Sequence, residues 1–315
     1  MKTRLSAWNL GATLYMPATR DDIASTIIAD KIKGLRSLVI CLEDSVSEGD
    51  VDLAQQNLRT LCTQLAHAKA AQGNDRWPLV FIRPRHLTMA QQLIDTFNLS
   101  AIDGIVIPKF THHSLAAWWQ VIGDTSLCMM PTLETEEVFD SEKMRLLAAE
   151  LSHHPCQARI IALRIGGNDL MNVISLRRSR NLTLYDGPMG YVIKMLVSVF
   201  APYHFALTAP VCEHIDSQEI MEQELQLDMA HGLVGKTAIH PNQLLAIENA
   251  LMVTPGEHAD ALRILNSSQA VFKSQGSMCE PATHRNWAAA ILARAAHYGI
   301  VNESSHEDLA LNSLS

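Results

Sequence analysis

The sequence has no excess of positive charge and no paired cysteines. Its 315 residues include 33 acidic and 25 basic side chains, which gives a formal net charge of −8. Surfaces that bind nucleic acids need clustered Lys and Arg, so this balance argues against a nucleic-acid partner. The six cysteines lie apart, without a CxxC pair and mostly within apolar runs, as is typical of reduced, buried thiols.

Long apolar segments are also missing. The best candidate for a membrane span, 189–210, is interrupted by Lys194, Pro202 and His204, and it falls short of the roughly 18 clean apolar residues that a span needs. The amino terminus, MKTRLSAWNL, lacks the apolar stretch of a secretory signal. We therefore expect a cytoplasmic protein with no membrane partner.

Two cofactor motifs are absent as well. No GxGxxG follows the first apolar run, which argues against a dinucleotide-binding fold. No HExxH occurs among the 14 histidines, and their spacing does not suggest zinc. Hydrophobic residues make up 48% and charged residues 18% of the chain, so a large core is expected and global disorder is excluded.

Short apolar segments alternate with longer amphipathic ones along most of the chain. Near-continuous apolar strands separated by helices indicate a parallel sheet that is covered on both faces. Eight such units predict an α/β fold, specifically a (β/α)8 TIM barrel. The predicted strands are 11–17, 36–42, 78–83, 103–108, 127–133, 160–166, 203–209 and 232–239, and helix-like segments lie near 20–33, 51–72, 88–98, 113–120, 141–152, 189–200 and 216–230.

The carboxyl-terminal part has a different pattern, with helix-like segments near 241–252, 257–273 and 284–298 and a polar turn at 274–283. We expect a barrel domain over 1–252, a C-terminal helical extension or lid over 253–300, and a flexible tail over 301–315.

Acidic residues follow two neighbouring predicted strands. Glu134 comes after the fifth strand and Asp169 after the sixth. The carboxyl ends of barrel strands meet at one face, where active sites form. Mg²⁺ takes one or two protein carboxylates and completes its shell with water and substrate oxygens. The pair therefore predicts a metal site; in the alternative, Asp169 caps the next helix and Glu134 is solvated.

Arginines follow two other strands. Arg83 ends the third strand and could bind a substrate carboxylate in bidentate fashion, or it could form a structural ion pair with Glu43 or Asp44. Arg20, next to Thr19 where a helix begins, could hold a phosphate or a cofactor tail, or it could be an exposed charge in the first helical turn.

These strand ends resemble a known family. LYMPATRDD, VICLEDSV, FIRPR, DGIVIPKF, MMPTLET, ALRIGGNDL and GLVGKTAIHPNQ occur in the order seen in the citrate lyase β-subunit-like superfamily, which includes the malyl-CoA and citramalyl-CoA lyases. The resemblance covers residues 11–285, and the LEDSV and GKTAIHPNQ segments are its most specific parts.

The resemblance implies a homo-oligomeric barrel, trimeric or hexameric, that cleaves or forms a carbon–carbon bond with Mg²⁺, or with Mn²⁺ as the alternative metal. A coenzyme A thioester is the candidate substrate carrier, and an α-keto acid such as oxaloacetate, pyruvate or glyoxylate is the small-molecule partner. By motif, the metal ligands are Glu134 and Asp169, the keto-acid carboxylate is held by Arg83, the CoA phosphates lie near Arg20 and Thr19, and the acidic pair after strand two is Glu43 and Asp44.

The sequence departs from the family at several positions. Cys41 replaces the first acid of DLEDSV, Asn168 replaces a Glu, and the seventh strand ends in TAPVCEH without an aspartate-bearing turn. Near the C-terminus, where lyases place a catalytic Asp, Glu280 or His284 is the candidate. The chain thus resembles a divergent branch, the carbon–carbon bond lyases found in tellurium-resistance-type gene clusters.

Three functional hypotheses follow. The first is a Mg²⁺-dependent lyase of retro-Claisen or aldol type, acting on a β-hydroxyacyl thioester or a related hydroxy acid. The second is a class II pyruvate-type aldolase acting on a free acid. The third is a catalytically reduced barrel that serves as a pathway subunit. Cys41 favours the third, whereas the joint presence of Glu134, Asp169 and Arg83 argues against it.

Overall fold

A computed structural model describes residues 5–73, 77–274 and 276–302. Contacts between Cα atoms divide the chain into two compact units, 1–247 and 248–315. The sequence predicts this boundary at 252/253 instead. The predicted flexible tail lies, from residue 303 onward, outside the described residues.

The first unit contains eight parallel strands, in agreement with the eight apolar segments of the sequence. Their order in the sheet is β7-β6-β5-β4-β3-β2-β1-β8. A parallel bridge between Ala209 and Lys236 joins the two edges of this sheet, so the strands form a barrel. The strands are β1 (Gly11–Pro17), β2 (Ser37–Cys41), β3 (Leu79–Arg83), β4 (Gly104–Ile107), β5 (Cys128–Leu133), β6 (Leu163–Ile165), β7 (Leu207–Thr208) and β8 (Gly235–Ala238).

Helices follow the strands as the sequence predicts, with one addition. The helix after β6 starts at a Gly-Gly pair that carries no helix signal, and the sequence did not predict it. The helices are α1 (Ile23–Ile28), α2 (Val51–Gln72), α3 (Leu87–Thr96), α4 (Leu115–Ile122), α5 (Ser141–His153), α6 (Gly167–Val173), α7 (Pro188–Phe200), α8 (Gln218–Ala230) and α9 (Leu244–Leu251). No helix among the described residues is long and apolar enough to cross a membrane.

Apolar side chains fill the amino-terminal end of the barrel. Val39, Phe81, Val106 and Met130, on neighbouring strands, are fully buried and pack with Leu10, which precedes β1. Because this end is closed by packed side chains, the polar residues at the carboxyl ends of the strands line the open face.

The end of α9 lies in the second unit, and after it the described residues form the helices α10 (Pro255–Asn266) and α11 (Pro281–Tyr298) and the strands β9 (Phe272–Ser274) and β10 (Ser277–Cys279). The prediction of a helix over 257–273 is wrong at its end, because the chain leaves the helix at Asn266. The predicted polar turn over 274–283 is shorter in the structure, because Ser277–Cys279 form β10, which pairs antiparallel with β9. Phe272 is buried against the α10 side chains Ala261 and Ile264, which explains why this stretch forms a strand.

Candidate active site

A buried ion-pair network occupies the carboxyl ends of β2, β3 and β5. Arg83 donates from Nε to Glu43 Oε2 at 2.8 Å and from Nη2 to Glu134 Oε1 and Oε2 at 3.0 and 3.2 Å. All three side chains are almost fully buried. The structural ion pair of Arg83 with Glu43 that the sequence left open is therefore formed, and it extends to Glu134.

Arg83 keeps one donor for a ligand. Its Nη1 has no hydrogen-bond partner among the described residues, and it is not among the buried polar atoms left without a partner. Nη1 therefore reaches solvent. The network orients the guanidinium and leaves this nitrogen available for a carboxylate, which is compatible with the predicted substrate role.

Lys109, directly after β4, contacts both acids of this network. Its backbone N–H donates to Glu134 Oε1 at 2.7 Å, and its Nζ donates to Glu43 Oε1 at 2.9 Å. The backbone of Lys109 has a φ of 48°, in the left-handed region that non-glycine residues rarely adopt. Such strain is found preferentially at functional sites. The sequence places Lys109 at a strand end but assigns it no role, because a strained turn has no signal in residue type.

Asp44 and Asp169 complete the acidic cluster. Asp44 lies at 3.8 Å from Arg83 Nη2, and its side chain is 63% exposed. Burial, the hydrogen bond with Glu43 and the charges of Glu43 and Asp169 raise its pKa to about 6. Burial and the charge of Glu43 also raise the pKa of Asp169. Among the described residues Asp169 has no cationic partner within 4 Å.

The pKa values of the two fully buried acids move in opposite directions. Burial raises the pKa of Glu43, but Arg83 and the hydrogen bonds from Asp44 and Lys109 outweigh it, and the pKa falls to about 2. Burial raises the pKa of Glu134 more strongly, and the positive charge of Arg83 offsets this rise only in part. The negative charge of Asp169 raises the pKa further, to about 7. The folded chain therefore holds Glu134 and Asp169 close enough for their negative charges to repel each other, and a bound cation would relieve this repulsion.

The donor set fits a hard divalent ion. Four carboxylates (Glu43, Asp44, Glu134 and Asp169) share the site with two cations, Arg83 and Lys109, which leaves an excess of two negative charges when all are ionised. No group of three or more His, Cys, Asp or Glu residues in the described part of the chain is arranged as a ready-made metal cage. Mg²⁺ needs only one or two carboxylates beside water and substrate, so the fit is to Mg²⁺ and not to zinc.

Gly166 leaves room for Glu134. A Cβ at Gly166 would overlap the Cβ and Oε2 of Glu134. The Gly166-Gly167 pair that starts α6 therefore allows the close approach of Glu134 to the strand that precedes Asp169. The alternative role stated for Asp169 is to cap the helix that follows. The structure does not show this role, because Asp169 lies inside α6 and the helix has no side-chain cap.

Arg20 and Thr19 lie directly after β1, and in the described part of the chain their side chains form no hydrogen bond or ion pair with the buried ion-pair network of Arg83. The Arg20 side chain is 48% exposed and forms a bidentate pair with Asp22, at 2.9 and 2.8 Å. Asn57 on α2 donates to the carbonyl oxygen of Thr19 at 2.8 Å and fixes the loop. The exposed position is compatible with either alternative stated for Arg20, and its role with a cofactor stays a prediction.

The predicted C-terminal catalytic residues lie in the second unit. Glu280 precedes α11, and its backbone N–H donates to His284 Nδ1 at 3.1 Å. Its role also stays a prediction. Cys41, which replaces the family's acid, is buried and pairs in register with Arg83 on the neighbouring strand.

Comparison with known proteins identifies the family to which the chain belongs. Residues 4–300 match the family described as carbon–carbon bond lyase of the TIM-barrel fold. The chain belongs to this family. The protein is a carbon–carbon lyase, as the sequence predicts. No curated protein sequence matches the chain at a significant level.

Solved structures show the same fold at low identity. CitE from Mycobacterium tuberculosis, in complex with magnesium, acetoacetate and coenzyme A, is 19% identical, with a TM-score of 0.65 over 91% of this chain and 98% of that one. RipC from Yersinia pestis is 19% identical, with a TM-score of 0.60 over 80% and 99%. The citrate lyase β subunit from M. tuberculosis, with oxaloacetate and magnesium, is 18% identical, with a TM-score of 0.54 over 77% and 98%.

Proposed function

We propose that this lyase cleaves a β-hydroxyacyl thioester, or a related hydroxy acid, and releases an α-keto acid, with Mg²⁺ held by Glu134 and Asp169. The observation that carries the proposal is the excess of negative charge around a buried arginine that keeps one free donor. A divalent cation neutralises this excess, and an α-keto acid supplies the carboxylate that Arg83 Nη1 can bind. The solved CitE and citrate lyase β structures, which contain magnesium with small oxo acids, support the assignment.

Each residue of the proposed site has a separate role in the reaction. When bound, Mg²⁺ supplies Lewis acidity at the carbonyl oxygen of the keto acid. Glu43 holds Arg83 and Lys109 in place from opposite carboxylate oxygens. Asp44, on the solvent side of the network, is the candidate to accept the hydroxyl proton when the carbon–carbon bond breaks and to return it to the enolate carbon of the leaving fragment.

A CoA thioester is the proposed carrier. The family resemblance and the presence of coenzyme A in one related structure support it. Arg20 and Thr19 are then the residues proposed near its phosphates. A homo-oligomer in the cytoplasm, trimeric or hexameric, with Glu280 acting at the C-terminal position, is proposed on the resemblance alone.

The first test is thermal unfolding with Mg²⁺ and with oxaloacetate, pyruvate or glyoxylate, each alone and in pairs with the metal. Ligand at about 100 times Kd adds roughly 2.7 kcal/mol of stability, or about 5–10 °C for a domain of this size. We expect this shift only when metal and keto acid are both present, because they share one site. The absence of a shift with every pair contradicts a keto-acid site.

A second experiment tests whether the substrate is a CoA thioester. The enzyme is incubated with acetyl-CoA, Mg²⁺ and each keto acid, and mass spectrometry searches for the β-hydroxyacyl-CoA adduct. The adduct supports a thioester lyase. Metal-dependent keto-acid binding without any adduct favours the class II aldolase that acts on a free acid. Mn²⁺ in place of Mg²⁺ tests the alternative metal in both arms.

A further inference from the structure

A second buried arginine lies inside the barrel and forms no ion pair with any residue that the structure describes. Arg164 on β6 is 2% exposed, and no carboxylate of the described residues lies within 4 Å of it. Its Nη2 donates to Thr237 Oγ1, its Nη1 lies 3.9 Å from Met130 Sδ, and its Cζ lies 5.3 Å from the centroid of the Tyr15 ring. These neutral contacts do not balance a charge removed from water, and burying an unpaired ion is costly.

Two buried hydroxyls beside Arg164 lack partners. Thr132 on β5 and Thr208 on β7 are the register neighbours of Arg164 on the two adjacent strands. Side chains in register on parallel strands point to the same face, so both lie on the side of Arg164. Within the described ranges, their buried Oγ1 atoms neither accept nor donate a hydrogen bond. Buried polar groups are almost always satisfied, so a row of three under-satisfied groups indicates a ligand.

The open face of the barrel reaches this row. Tyr15 and Thr237 both contact Arg164 and are partly exposed. Tyr15 packs against the apolar cluster that contains Phe81 and Met130, and it is the fifth of the seven residues of β1, towards the carboxyl end of that strand. Gly166 follows Arg164 by two residues, directly after β6, and the side chain of Glu134 occupies the space where a Cβ of Gly166 would lie.

The row also lies at a defined depth below the metal site. Arg164 is the register neighbour of Thr132, and Glu134 follows Thr132 by two residues, directly after β5. Two residues of a parallel strand span about 6.6 Å, so Arg164 lies about this far from Glu134, towards the amino ends of the strands. A ligand can bind with its first acid group beside Arg83 and the metal site. If it extends towards the amino ends of the strands, its second acid group reaches Arg164.

We propose that Arg164, with the Thr132 and Thr208 hydroxyls, binds a second carboxylate of the substrate and so selects a dicarboxylic keto acid over a monocarboxylic one. This inference rests on the proposed function, because it assumes that the keto acid binds at Arg83 and the metal. A guanidinium takes a carboxylate in bidentate geometry, and the two threonines supply hydrogen-bond donors beside it. The second carboxylate supplies the counter-ion that the described part of the chain does not give Arg164.

Oxaloacetate and pyruvate test the proposal, because they differ by one carboxylate. Isothermal titration in the presence of Mg²⁺ measures Kd for both acids in the wild type, in Arg164→Met and in Arg164→Lys. Arg159→Met is the matched control, because it removes a guanidinium that binds the Leu127 carbonyl before β5, at the other end of the barrel. Pyruvate binding by each variant reports that the site is folded.

We expect the wild type and Arg159→Met to bind oxaloacetate more tightly than pyruvate. Arg164→Met should weaken oxaloacetate binding about 10- to 100-fold and leave pyruvate binding unchanged, whereas Arg164→Lys should retain part of the preference. Equal weakening of both acids, or no change in either, would overturn the role of Arg164 and leave the proposed function standing. Failure of the wild type to bind either acid would overturn both.

Discussion

At the scale of single residues, Glu134 and Asp169 are held in contrasting ways. Glu134 accepts hydrogen bonds from the Arg83 side chain and from the Lys109 backbone, and it fits against Gly166. Asp169 is near other acids and has no cationic partner within 4 Å among the described residues. Glu134 is therefore fixed by the fold, whereas Asp169 has a surplus charge that a metal ion can use.

This contrast gives the first mutational prediction. Asp169→Asn removes one negative charge and one anionic oxygen ligand, so we expect Mg²⁺ affinity to fall at least tenfold, or about 1.4 kcal/mol. The metal-free protein should not lose thermal stability, because the substitution relieves repulsion with Glu43 and Asp44. Isothermal titration with Mg²⁺ and thermal unfolding with a chelator measure the two effects.

The control is Asp95→Asn, which changes an exposed acid on α3 whose one side-chain partner among the described residues is Gln91. It should leave Mg²⁺ affinity unchanged. Equal affinities in Asp169→Asn and the wild type would refute the assignment of Asp169 as a metal ligand.

At the scale of elements, β8 and α8 are joined by a second charged network on the outer side of the barrel. Lys236 donates to Asp228 at 2.9 Å and to Glu224 at 3.2 Å, and Arg178 also pairs with Glu224. Tyr185 donates to Asp228 at 2.6 Å. All four charged side chains are almost fully buried. Lys236, the lysine of the GKTAIHPNQ motif, therefore holds α8 to the barrel and is not part of the acidic cluster around Arg83.

We predict that Lys236→Met destabilises the barrel by about 3–5 kcal/mol, because Asp228 keeps a buried charge with no cation beside it. Chemical denaturation monitored by circular dichroism measures the change in the free energy of unfolding. Lys194→Met on the exposed side of α7 is the control and should stay within about 0.5 kcal/mol of the wild type. A Lys236→Met variant as stable as the wild type would show that the network does not secure α8.

At the scale of the whole molecule, the sequence predicts the barrel well and the site in part. The eight strands follow from apolar runs, and the mouth acids follow from their position after those runs. Three features depend on distant contacts: the φ of Lys109, the burial of Arg164 without an ion-pair partner in the described part of the chain, and the β9–β10 hairpin. Residue order carries no record of such contacts, so these features required the structure.

The pH dependence of stability is the last prediction, and its sign follows from Glu134. Burial raises its pKa from 4.5 to about 7 in the metal-free fold, so the folded chain binds a proton that the unfolded chain releases. This contribution to stability is fully present below pH 4.5 and is lost as the pH rises through 7. Asp44, with its pKa raised to about 6, acts in the same direction. Glu43 acts oppositely: its contribution is present above pH 4.5 and is lost as the pH falls towards 2.

We therefore expect the metal-free protein to gain stability from these acids between pH 8 and pH 5, and to lose stability below pH 4.5. Because Mg²⁺ requires the ionised form of Glu134, its apparent affinity should fall as the pH drops below 7. Unfolding temperatures are measured from pH 4 to pH 8 with a chelator and with Mg²⁺, for the wild type and for Glu134→Gln. The difference between the two metal-free curves isolates Glu134 from the histidines that titrate in the same range. If that difference does not change between pH 5 and pH 8, Glu134 is not the buried acid that competes with the metal for a proton.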